Sequence, residues 1–93
     1  MGYDLEPRNK NCPPLHKNIT GWENTYRRLE AAGADLSRWS WTNDGDVIPR
    51  KTAKSWGRLL RAWLREGGRS EDDLRFGTEF ADFCMQSRGF KIY

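Results

Sequence analysis

Arg50, Lys54, Arg58, Arg61 and Arg65 follow one another at intervals of three or four residues, the spacing that stacks side chains along one side of an α-helix. Projected at about 100° per residue they fill an arc of only about 80°, with Lys51 at its margin. Five like charges held on one face suit contact with a polyanion, because Lys and Arg that neutralise phosphates release condensed counterions and supply affinity without sequence information. Arg outnumbers Lys in this stripe, which favours forked hydrogen bonding to phosphate or carboxylate. The expected partner is nucleic acid, with the acidic surface of another protein as the alternative. Charge runs are more often solvated faces, and Glu71, Asp72 and Asp73 just beyond the helix are candidate neutralising partners. A helix-turn-helix reader is excluded by the fifteen residues between Gly33 and Pro49, far longer than the short turn that motif needs.

Other chemistry is less well supplied. Cys12 and His16 have a spacing that zinc sites use, but a structural zinc needs four ligands and the chain has two Cys and one His. Free thiols are the expectation for Cys12 and Cys84 in a chain without an export signal. Asp44-Gly45-Asp46 lacks the further oxygen ligands of a calcium loop and reads as a turn. His16 is the only imidazole, and neither a Gly-x-Ser-x-Gly elbow nor a Ser-x-x-Lys pattern is present. The nine glycines are scattered, mostly at turn and cap positions, with no phosphate-cradling loop. No catalytic residue, metal ligand or cofactor is therefore expected, and the chain reads as a binding protein and not an enzyme. Trp39 and Trp41 could anchor a partner, although so short a chain needs its rings inside.

The elements that must position the stripe follow from periodicity and caps. A first helix is expected over 20–32, with Thr20 and Glu23 as a capping box, Trp22, Tyr26 and Leu29 on its buried side, and Gly33 ending it. The second, 49–66, starts at Pro49 and stops at Gly67 and Gly68. Its apolar residues Ala53, Trp56, Leu59, Leu60, Trp63 and Leu64 share an arc of about 140°, and Gly57 weakens it by about 1 kcal/mol relative to Ala. Ser70 and Asp73 give a weaker start signal, and a third helix is expected over 78–88 from a Thr78 cap, burying Phe80, Phe83 and Cys84. Residues 1–18, with Pro7, Pro13 and Pro14, read as an extended arm that permits a short edge strand at Tyr3 and Leu5. Asn43-Asp44-Gly45 marks a turn, and Phe90 to Tyr93 alternate as a strand would.

The chain has 93 residues, 31 % charged and 13 % aromatic with five Trp, enough ring area for one core. The predicted fold is mainly α, a small three-helix domain over 19–93, or its α+β variant with a short two- or three-stranded sheet. The net charge of +3 is concentrated: 49–66 carries +5, leaving −2 for the remainder. No membrane span, signal peptide or myristoylation signal is evident, so a cytoplasmic location is expected.

Three blocks, Met1-Gly2-Tyr3-Asp4-Leu5, Asn43-Asp44-Gly45 and Phe80-x-x-Phe83-Cys84-x-x-Ser87-x-Gly89-Phe90-x-Ile92, give the chain its one family likeness. In them it resembles a loose group of small uncharacterised bacterial and phage proteins. They cover about a quarter of the chain. The resemblance implies a bacterial or mobile-element origin, transfers no activity to named residues, and leads one to expect a second Gly where this chain has Arg88. The alternative function is a phage- or mobile-element-type interaction factor that modulates a host protein through exposed Trp and Arg anchors.

Overall fold

The computed structural model describes residues 2–39 and 45–93. Trp41 and the Asn43-Asp44 part of the expected turn lie outside the described residues. Among the described residues the elements run in the order ββαβααβ: strands β1 (Gly2–Pro7) and β2 (Leu15–Asn18), helix α1 (Ile19–Ala31), strand β3 (Val47–Ile48), helices α2 (Arg50–Arg65) and α3 (Glu71–Gln86), and strand β4 (Phe90–Ile92). The strands pair antiparallel in the order β2-β1-β4-β3. The fold is mainly helical and takes the α+β form, with one strand more than the two or three expected.

Period-two alternation gives the sheet one covered and one open face. Leu5, Lys17, Ile48, Phe90 and Ile92 are buried on the helical side, while Asp4, Glu6, His16, Val47 and Lys91 are exposed on the other. Residues 2–7 and 15–18 are extended, but as strands of the sheet joined through a turn at 9–12, and β1 is an interior strand and not an edge: Leu5 is opposite both Leu15 of β2 and Ile92 of β4. The loop after β1 is tied to the end of α3, with Arg8 N donating to Gly89 O at 2.9 Å and Asn9 N to Ser87 O at 2.9 Å. Prolines there break periodicity without detaching the segment from the body.

The helices cover the inner face through a run of aromatic contacts. Tyr3 stacks on Trp22 with centroids 5.4 Å apart, Trp22 meets Phe80 edge-on at 6.3 Å, and Phe90 receives Trp56, Phe80 and Phe83 at 6.3, 6.1 and 5.1 Å. Such offset and edge-to-face pairs add to the area each ring removes from water.

Two helix starts differ from expectation. α1 is capped by Asn18, whose Oδ1 accepts Gly21 N at 2.7 Å, so Thr20 lies inside the first turn. Asn caps at least as well as Thr and comes first along the chain. α3 begins at Glu71 instead of near Thr78, because Ser70 Oγ accepts Asp73 N at 3.1 Å and Glu71, Asp72 and Asp73 complement the positive end of the helix. The expected ends hold: Gly33, Gly67 and Gly89 take positive φ just beyond the three helices.

Candidate functional site: the basic face of the second helix

α2 matches its expected span to within a residue at each end, with Pro49 as N-cap and Glu66 as C-cap. Its buried residues are Ala53, Trp56, Gly57 and Leu60, whereas Leu59, Trp63 and Leu64 are only partly covered. The helix is therefore turned further toward the stripe than the apolar arc suggests, because α3 approaches along Gly57. A Cβ at Gly57 would lie 2.7 Å from Met85 Sδ and 3.1 Å from the Ala81 carbonyl oxygen. α3 runs antiparallel to α2: Gly77 faces Leu64, Asp82 faces Arg61, Met85 faces Gly57, and Gly89 abuts Arg50.

The five predicted cations keep to one side of this helix, which rises about 22 Å from Arg50 to Arg65. Arg50, Arg58 and Arg65 are exposed and Lys54 is half-buried. None of the four side chains makes a hydrogen bond, ion pair or ring contact among the described residues. Arg61 is different: its Nη2 donates to Asp82 Oδ1 at 2.9 Å, the two side chains being 42 % and 49 % exposed. An ion pair that open contributes at most about 1 kcal/mol. Lys51, at the margin, is also exposed.

The acidic trio expected to neutralise the stripe is engaged elsewhere or bridges no cation of α2. Asp73 Oδ1 accepts from Arg28 Nε of α1 at 2.9 Å, and this hydrogen bond, with help from Ser70, holds its carboxyl below the usual carboxylate range despite partial desolvation. Glu71 and Asp72 are exposed in the first turn of α3 without an ion pair among the described residues. The partner that does reach the stripe, Asp82, carries no start or cap signal in the sequence. Only the antiparallel register of the two helices brings it beside Arg61.

Trp39, read as a partner anchor, is half-buried. It stands edge-on to Trp56 at 5.2 Å, and its Nε1 donates to Val47 O at 3.4 Å, a long bond. It is one wall of a groove of about 280 Å³ beside α2, with Asp35, Arg38, Lys51 and Leu59. The ring therefore works as packing with one exposed edge.

A second concavity, about 420 Å³ between the start of α1 and α3, includes Lys17, Arg28, Phe76 and Glu79. Its cations are internally matched: Lys17 Nζ lies 2.8 Å from Glu79 Oε1, and Arg28 meets Asp73. On the open sheet face His16 Nδ1 is 2.6 Å from Asp4 Oδ1, both largely exposed. Cys12 and Cys84 are free and buried, and burial pushes the Cys84 thiol well up, as expected of inert core thiols. No helix among the described residues is long and apolar enough to cross a membrane. Comparison with protein-family models, with curated proteins and with solved structures finds no match for this chain.

Proposed function

We propose that this protein is a non-catalytic binding domain that lays the basic face of α2 against a polyanion, most simply the phosphate backbone of nucleic acid. The supporting observation is four cations on one helical face without a partner among the described residues, Arg50, Arg58 and Arg65 exposed and Lys54 half-buried. Like charges at these intervals weaken a helix by a few tenths of a kcal/mol per pair, and among the described residues an ion pair offsets this only at Arg61. Such a face contacts backbone and does not read bases, so binding should tolerate any sequence and depend steeply on salt.

The test is binding of a random-sequence DNA duplex to the full chain and to the Lys54→Glu, Arg58→Glu double variant. Four phosphate contacts correspond to a slope of log K against log salt of about −3.6. The double variant should lose binding while keeping its helical content. Duplex binding that survives the double change, or shows no salt dependence, refutes the reading. A partner from a host lysate that survives nuclease and still needs Lys54 and Arg58 would instead favour the acidic protein surface.

A further inference from the structure

Resting on that reading of α2, we infer that the polyanion surface continues off the helix onto the α3–β4 turn, through Arg88. Arg88 has φ 60, the left-handed region that Gly enters freely and that every other residue enters at a cost, Asn and Asp least. It follows the C-cap Ser87, at the position where helices usually place Gly to turn the chain. Gly or Asn would close α3 there with less strain. Backbone geometry therefore does not account for an arginine at this position, and the side chain must.

The side chain has no partner among the described residues. Arg88 is exposed and makes no hydrogen bond, ion pair or ring contact among the described residues. The turn that carries it is firmly held. Ser87 Oγ donates to Cys84 O at 3.3 Å and accepts from Gly89 N at 3.2 Å, and Ser87 is fully buried. A Cβ on Gly89 would lie 2.8 Å from Ile48 O and 3.0 Å from Arg50 N. The turn thus seats Gly89, the residue after Arg88, against the first turn of α2, where the stripe begins with Arg50. A cation beyond the C-terminus of α3 also complements that helix's dipole, but this interaction is screened by salt and fades within the last turn. What remains in salt is a guanidinium held in a strained turn at the end of a row of open cations.

The consequence is a composite surface with five open contacts, Arg88 joining Arg50, Lys54, Arg58 and Arg65, which a backbone following α2 would meet at its N-terminal end. The experiment compares the full chain with its Arg88→Gly and Arg88→Lys variants, using a random-sequence DNA duplex of about 20 base pairs read by anisotropy across a salt series. With Arg88→Gly, affinity at about 0.1 M salt is expected to fall roughly three- to tenfold and the salt slope to flatten by about 0.9. At about 0.3 M salt, where the dipole interaction is screened, its Tm should rise by a few degrees. Arg88→Lys should keep the slope. If Arg88→Gly binds with unchanged affinity and slope while Lys54→Glu with Arg58→Glu abolishes binding, the surface ends at α2 and the inference is overturned although the reading of α2 stands. A Tm that drops on Arg88→Gly assigns the side chain a structural role and overturns it too. Loss of the parent reading would show separately, as binding indifferent to the double change on α2.

Discussion

Gly57 of α2 lies directly against Met85 of α3: a Cβ added to Gly57 would lie 2.7 Å from Met85 Sδ, 2.8 Å from Met85 Cγ and 3.1 Å from the Ala81 carbonyl oxygen. The glycine that weakens α2 by its own propensity is what lets the two helices meet. At an open helical site Gly→Ala gains about 1 kcal/mol. Here the thioether can move aside but the Ala81 carbonyl cannot without shifting α3, so Gly57→Ala is expected to lose about 1 kcal/mol and Gly57→Leu more than about 2. Urea unfolding of the two variants measures this. A more stable Gly57→Ala variant would show the contact to be slack.

The start of α3 gives a sharper test of capping. Ser70 Oγ accepts Asp73 N at 3.1 Å, whereas Thr78 is an exposed residue inside the helix. Ser70→Ala should cost about 1 kcal/mol, and Thr78→Ala should be neutral or slightly stabilising, since Ala is the better helix former. The opposite ranking in thermal unfolding would place the cap at Thr78.

These two cases show what the sequence reveals and what it hides. α2 was legible almost to the residue, because Pro49, the glycine pair and a period of 3.6 all agree on it. The start of α3 was not: Leu74 is exposed and Phe76 half-buried, so the first two turns lack the apolar stripe that marks a helix, and the Ser70 cap is weak by itself. β1 was readable only as a short edge strand at Tyr3 and Leu5, and β2 not at all, for another reason. The interior place of β1 depends on β4 at the far end of the chain, Leu5 being opposite Ile92, and local composition around three prolines gives no sign of that strand or of the β1–β2 hairpin. The cationic face was readable as spacing. Whether it is open was not, since neutralisation depends on register between helices: it brings Asp82 to Arg61 and leaves Asp73 with Arg28.

The Arg28 and Asp73 pair sets an acid limit. Its hydrogen bond lowers the Asp73 pKa in the folded state, so the associated stability is fully present above the unfolded value, about 3.9, and is lost as pH falls through the lower folded value. The wild type should thus lose stability between about pH 5 and pH 2. Asp73→Asn should start about 1 kcal/mol less stable at pH 7 and lose less on acidification. Denaturant unfolding at both ends of the range checks this, and parallel pH profiles for the two proteins would refute the assignment.

Among the described residues Asp82 is the one carboxylate that bridges the basic face, which makes it a brake on the proposed contact. Freeing Arg61 by Asp82→Asn removes a pair that is nearly half exposed on each side, so the stability cost should stay below about 1 kcal/mol. The gain should appear in binding: one more open cation steepens the salt slope by about 0.9 and, at about 0.1 M salt, raises duplex affinity several-fold. Arg61→Gln, by contrast, should leave the slope of the wild type almost unchanged, because Arg61 is already committed to Asp82. The two variants therefore separate a face whose working cations are the open ones from a face in which total charge is all that counts. In the second case Arg61→Gln would weaken binding as much as Asp82→Asn strengthens it.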